Sequence, residues 1–157
     1  MWFTRDIWPL IRQLCPDATL DIVGSYPTDA VRALADDAIG MHADVSEETL
    51  ACFYASARVA VVPLRFGAGV KLKVAEALRD GVPLVTTSTG VQGLPGLDSI
   101  ADVTDGPEAF AAAVVRLLRD DALWQHRCRA QIEYARTAFS QATLHATLLG
   151  ALGIDGT

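Results

Sequence analysis

A glycine turn at Gly67 and Gly69, two lysines at Lys71 and Lys73, and a carboxylate at Glu76 are the residues of this chain whose types and spacing could do chemistry. All fall within the stretch PLRFGAGVKLKVAEALRDGVP, from Pro63 to Pro83. A glycine turn that feeds a helix N-terminus leaves several backbone N–H groups without intrahelical partners at the positive end of the helix dipole. Such a corner binds anions, phosphate above all. Lysines in a first helical turn oppose the dipole, so Lys71 and Lys73 are easier to explain if an anion is expected beside them. Glu76 follows about two turns into a helix predicted over Val70–Leu78. Residue types alone leave a plainer reading open: a turn made by glycines, solvated lysines and a surface carboxylate.

The elements that must position this corner are a strand before it and a helix after it. The β-branched run Val59-Ala60-Val61-Val62 supplies the strand and Val70 to Leu78 the helix. A second apolar strand, Leu84 to Thr87, follows and ends in a glycine-rich loop from Ser88 to Gly96. Upstream, Met1 to Cys15 carries Phe3, Ile7, Leu10, Ile11 and Leu14 at helical spacing, with Pro9 expected to bend it and an exposed Met-Trp-Phe start. Thr19 to Val23 reads as a strand, Asp29 to Leu34 as a short helix and Ile39 to Ala43 as a short strand. Ser46 caps a helix through about Ala55, with Leu50, Phe53 and Tyr54 as its buried stripe. Downstream, Ile100 to Val103 is a last strand. Gly106-Pro107 opens a helix with Phe110, Val114, Leu117 and Leu118 inward, Asp120-Asp121 opens another with Trp124, Cys128, Ile132, Ala135 and Phe139 inward, and Ser140 caps a final helix through about Leu152.

Strands alternating with helices predict an α/β fold, a Rossmann-like parallel sheet with flanking helices. In such sheets ligands lie beyond the carboxyl ends of the strands, the edge onto which the loops at Gly24, Ala43–Ser46, Pro63–Lys71 and Thr86–Gly90 all fall. The 157 residues suit one domain, and 51% hydrophobic with 20% charged residues describes a globular chain. A net charge of -6 argues against a nucleic-acid or anionic-membrane surface, so an anion site must be local. Cys15, Cys52 and Cys128 have no metal or disulfide spacing and read as small core hydrophobes of a reducing compartment. No apolar run reaches membrane-spanning length and no signal pattern opens the chain, which predicts a cytoplasmic location. His42 is near the candidate edge, where a structural or solvated role outweighs a functional one, and no metal signature is present. Asp44 and Asp98 read as turn residues.

Three segments, TLDIVGS, then ADVSEETLACFYASARVAVVPLRFGAGVKLKVAEALRDGVPLVTTSTGVQGL, then LLRDDALWQHRCRAQIEYARTAFS, resemble the C-terminal, donor-binding domain of group 1 glycosyltransferases of the retaining GT-B type, over essentially the whole chain. The resemblance implies a domain that binds a nucleotide diphosphate sugar for transfer to an acceptor in polysaccharide or glycolipid biosynthesis, with no other cofactor. It implies a donor site at Gly67, Gly69, Val70, Lys71, Leu72 and Glu76. The N–H groups of Gly69 to Leu72 would meet the diphosphate, and Glu76, the second glutamate of the family's Glu-x7-Glu motif, would hold the ribose diol. Backbone at Ala43, Asp44 and Val45, up to Ser46, would line the base.

The sequence departs from that pattern twice. Ala68 stands where the motif's first glutamate would fall, and Lys71 is assigned its phosphate or sugar contact and a catalytic role. The family's opening strand, its glycine loop and basic pair, and the acceptor-binding N-terminal domain would all lie before Met1. That absent strand is the central one in a 3-2-1-4-5-6 order. Direct pairing of its neighbours, a borrowed strand or homo-oligomerisation is therefore expected, as is peripheral membrane association through the missing domain. The alternative function is a non-catalytic nucleotide- or phosphate-binding module, or a degenerate assembly fragment; a receiver-like fold, which wants acidic residues at strand ends, fits poorly.

Overall fold

The computed structural model describes residues 1–140; the helix expected beyond Ser140 lies outside them. Among the described residues, five short strands and six α-helices follow one another, helix and strand in turn as far as the fourth strand. A π-helical turn, Phe3–Ile7, runs into α1 (Trp8–Leu14), and then come β1 (Leu20–Gly24), α2 (Asp29–Arg32), β2 (Ile39–Ala43) and α3 (Glu47–Ser56). They are followed by β3 (Ala60–Val62), α4 (Leu72–Arg79), β4 (Leu84–Thr86), a 3-10 turn at Leu97–Ser99, β5 (Asp102–Val103), α5 (Pro107–Arg119) and α6 (Asp121–Ala138). The π turn accounts for Pro9. Proline cannot donate the next helical hydrogen bond, and the chain widens just before it, with the Trp8 N–H reaching the Phe3 carbonyl.

All observed strand pairings are parallel, but they form two sheets: β1 with β2, and β3-β4-β5 in that order. The expected α/β arrangement is present, whereas direct pairing of β1 with β3 is not. What joins the sheets is a shared layer of apolar side chains. Phe3, Ile7, Trp8 and Ile11 from the first helix and Phe110, Val114 and Leu117 from α5 pack against Leu20 and Ile22 of β1, against Val59 and Val61 at β3, and against Val85 of β4. Edge-to-face contacts of Trp2 and Phe3 with Phe110 close one end of this layer. The expected exposed Met-Trp-Phe start is thus corrected: Met1 is exposed, but Phe3 is buried. The opposite face of the three-stranded sheet packs Val62 and Leu84 on Val74, Ala77 and Leu78 of α4 and on Ala135 of α6.

Three further expectations change. Leu50, Phe53 and Tyr54 form the inward stripe of α3 but are only half-buried, because α3 covers a sheet of two strands and has solvent on its flank. Cys52, on the outer side of the same helix, is exposed rather than a core residue. The strand expected from Ile100 shortens to Asp102–Val103, since Leu97 to Ala101 is drawn into turns by the Ile100 N–H and Ala101 N–H bonding the Leu97 carbonyl. Among the described residues no helix is long and apolar enough to cross a membrane.

The fully buried residue of α6 that periodicity did not single out is Gln131. Its Oε1 accepts from the Leu84 N–H at 3.2 Å and its Nε2 donates to the Ile100 carbonyl at 3.1 Å. These are backbone groups left over where β4 has begun and β5 has not, and burying them unpaired is costly. Gln131→Leu should therefore destabilise the chain by about 2–4 kcal/mol and lower its melting temperature by about 5–15 °C in calorimetry. A change below about 1 kcal/mol would show that the amide contributes no more than volume.

Candidate functional site

The chain leaves β3 through Pro63 and turns back into α4 over two glycines with positive φ, Gly67 at 134° and Gly69 at 70°, conformations that side-chain-bearing residues rarely adopt. The turn is anchored from β4. The Thr86 hydroxyl donates to the Val62 carbonyl at 2.8 Å and the Thr87 hydroxyl donates to the Leu64 carbonyl, both threonines being buried. From the other side, the glycine-rich loop after β4 presses on the turn: a Cβ at Gly93 would meet Val70 Cγ2 at 3.0 Å. The corner is thus held between the ends of β3 and β4, at the carboxyl edge of the sheet.

The helix begins later than its sequence suggests. Lys71 is the N-cap residue of α4 with extended backbone (φ -94°, ψ 118°) and makes no side-chain cap, so the first helical N–H groups belong to Leu72 and Lys73. The Lys71 carbonyl receives the Val74 and Ala75 N–H groups, while those of Leu72 and Lys73 have no partner among the described residues. Val70 stays outside the helix and lies beside Gly93. Two corrections follow. The helix starts at Leu72 rather than Val70, and Glu76 is the fifth residue of α4, just over one turn in.

The surface around those donors is open and mixed. Phe66, Val70 and Leu72 are all exposed large hydrophobic residues. The Lys71 ammonium folds back and donates to the Gly69 carbonyl at 2.6 Å, with its Cε and Nζ about 3.4 and 3.5 Å from where a Gly67 Cβ would lie. Gly67, Gly69, Val70, Lys71 and Leu72 are therefore brought together in one turn, with Lys71 laid over it.

Glu76 is not a free surface carboxylate. The Tyr54 hydroxyl of α3 donates to its Oε2 at 3.1 Å. Burial, followed by the charge and hydrogen bond of Glu76, pushes the Tyr54 phenol far above its ordinary range, so it stays a proton donor. This contact was missed by sequence reasoning, in which Tyr54 appeared only as part of an apolar stripe; its hydroxyl end was the one available signal.

Ala43, Asp44 and Val45 lie at the carboxyl end of β2, on the other sheet. Asp44 has a positive φ of 52°, and its Oδ1 accepts the Tyr26 N–H at 3.1 Å, tying the loop after β2 to that after β1. Ser46 caps α3 as expected, its Oγ accepting from the Thr49 N–H at 3.1 Å. His42 pairs with Asp21, Nε2 to Oδ1 at 2.7 Å, and lies 4.4 Å from the Phe53 ring, a structural role. The loop after β2 and Glu76 are linked through α3, capped at one end by Ser46 and bonded through Tyr54 near the other.

The arrangement offers helix N–H donors, an ammonium and a pre-oriented carboxylate on one edge, which suits an anion joined to a polyol. A family profile described as "Glycosyl transferases group 1" matches residues 1–120. An uncharacterized 44.6 kDa protein in the cps region of Klebsiella pneumoniae is 29% identical over 100 residues, 59% of this chain and 26% of the relative. Among solved structures, a UDP-forming alpha,alpha-trehalose-phosphate synthase from Burkholderia xenovorans matches 91% of this chain with a TM-score of 0.64 at 13% identity. An alpha,alpha-trehalose 6-phosphate synthase from Burkholderia multivorans matches 92% with a TM-score of 0.52 at 20% identity. The chain spans 39% and 40% of those two structures and about a quarter of the curated relative. At these identities the structural likeness speaks for the fold.

Tyr54→Phe should cost about 0.5–1.5 kcal/mol at neutral pH, the net worth of one hydrogen bond. Because the folded phenol holds its proton more tightly than an unfolded one, this contribution is present below about pH 10 and is lost as pH rises above it. Urea unfolding of both proteins at pH 7, 9 and 11 should show the difference narrowing only at the last; a difference constant across all three would be against a half-buried, protonated Tyr54.

Proposed function

The chain belongs to the group 1 glycosyltransferases, and from that membership we propose that it is a nucleotide-sugar-binding domain of an enzyme that transfers a hexosyl group from a nucleoside diphosphate to an acceptor. The observation that carries the proposal is the corner itself: a glycine turn delivering two unpartnered N–H groups at the start of α4, with Lys71 over the turn and Glu76 on the same helix. The N–H groups of Leu72 and Lys73 and the Lys71 ammonium receive the diphosphate. Lys71 needs only to exchange the Gly69 carbonyl for a phosphate oxygen, a small cost for an exposed side chain. Glu76, steadied by Tyr54, accepts hydrogen bonds from the ribose hydroxyls, and Ala43 to Val45 face the base from the second sheet.

In transfer, the bond between the sugar's anomeric carbon and the diphosphate oxygen breaks, and negative charge accumulates on the departing diphosphate. Fixed N–H dipoles and an ammonium aimed at that charge lower the barrier more than they stabilise the bound donor. Lys71 is in this sense catalytic. Ala68 removes the carboxylate that a Glu-x7-Glu arrangement would add on the sugar side, so recognition falls more heavily on the diphosphate. The acceptor is recognised by a further domain, which fits the 39–40% share of the matched structures that this chain spans. A relative in a cps region supports a role in polysaccharide or glycolipid assembly.

Isothermal titration with uridine, guanosine and adenosine diphosphates should show millimolar to micromolar binding of at least one. Lys71→Ala should weaken it about tenfold or more, and Glu76→Gln should weaken the nucleoside diphosphate but not inorganic pyrophosphate. Negligible heats for all three nucleotides, or unchanged affinity in Lys71→Ala, would overturn the assignment.

A further inference from the structure

We propose that Tyr26, in the loop after β1, is the platform on which the base of the bound nucleotide stacks. This role rests on the donor reading given above and adds to it a residue from outside the α4 corner. Tyr26 is the most exposed large hydrophobic residue among those described, at 90%. Its hydroxyl has no hydrogen-bond partner, and its ring has no aromatic or cationic partner, among the described residues. Yet its φ is 51°, in the left-handed region that bulky side chains seldom enter. Pro27 follows it and crowds the residue before it further. Glycine or asparagine would make the same turn with less strain. A ring left in water also removes little apolar surface on folding, so folding gains little from tyrosine at this position. Strain of this kind, without a return in stability, marks functional sites.

Asp44 holds the strained turn in place. Its N–H donates to the Gly24 carbonyl at 3.1 Å, and its Oδ1 accepts the Tyr26 N–H at 3.1 Å. This pair of bonds continues the β1–β2 pairing beyond its last partners, Gly24 and Ala43. Asp44 is itself at a φ of 52°. The two non-glycine residues with positive φ among those described are thus bonded to each other across the carboxyl end of one sheet. The backbone that carries the Tyr26 ring is fixed to Ala43–Val45, the segment assigned to the base.

The chemistry of the ring selects its occupant. In a nucleoside diphosphate sugar the base is the part with a π face. The diphosphate and the ribose are assigned to charged and hydrogen-bonding groups at the start of α4 and to Glu76. Stacking of a base on an aromatic side chain raises affinity by about tenfold or more, and it does so for any base. Tyr26 therefore contributes affinity for the nucleotide, while the choice of base falls to the hydrogen-bonding groups of Ala43–Val45. A tyrosine has two side-chain torsions to order, and the backbone beneath it is already tied down, so the ordering cost of stacking is small.

Isothermal titration of the full chain with uridine, guanosine and adenosine diphosphates and with inorganic pyrophosphate tests this role. Tyr26→Gly keeps the turn and removes the ring. It should weaken every nucleotide that the unaltered chain binds by about tenfold or more and leave pyrophosphate unchanged. Its melting temperature should be no lower than that of the unaltered chain, because the backbone strain is relieved. Tyr26→Phe, which keeps the ring, should bind nucleotides within about twofold of the unaltered chain. Unchanged nucleotide affinity in Tyr26→Gly, or a loss that extends to pyrophosphate or comes with a lower melting temperature, would overturn the stacking role and leave the donor reading standing. If the unaltered chain bound no nucleotide, the donor reading would fail and the stacking role with it.

Discussion

The layer of apolar side chains contributed by the first helix and α5 is the constraint on which the rest of the structure depends. Two parallel sheets whose strands do not pair with each other among the described residues would ordinarily be two objects. Here Leu20 and Ile22 of one and Val59, Val61 and Val85 of the other rest on the same surface of Phe3, Ile7, Trp8, Ile11, Phe110, Val114 and Leu117. Burial of that surface is non-directional, so it sets the mean plane of both sheets without requiring their edges to touch.

The second face of the three-stranded sheet is covered by α4 and α6, and there the packing is tight and includes a polar clamp. Gln131, buried among apolar neighbours, takes up two backbone groups that the short β5 leaves over. The two-stranded sheet has α3 alone, half-buried, and balances this with polar ties: Asp21 to His42, and Asp44 to the Tyr26 N–H. The loops at the carboxyl edge thus come from two differently supported halves, one closely packed and one held mainly by hydrogen bonds.

Within the better-packed half, the corner of α4 is held from several sides. Thr86 and Thr87 hold the end of β3, Val70 is seated against Gly93, and Tyr54 fixes the direction of Glu76. Pre-orientation of this kind lowers the ordering cost of binding.

Most elements were legible from local chemistry: Ser46 as a cap for α3, Gly106-Pro107 as the start of α5, the β-branched run before Pro63, and the glycine turn itself. These depend on neighbours a few residues away, and the sequence by itself determined them, together with the parallel α/β class and the family. Where long-range contacts compete with local preference, only the tertiary structure decided. Val70 stayed outside the helix beside Gly93, Tyr54 turned its hydroxyl to Glu76, Gln131 went inward, and Cys52 stayed exposed on the outer side of α3. The pairing of strand edges belongs to the same class. Alternation says which residues offer N–H and C=O groups to each side, but whether β1 and β3 meet depends on the width of the helix layer beneath them, which no local pattern encodes.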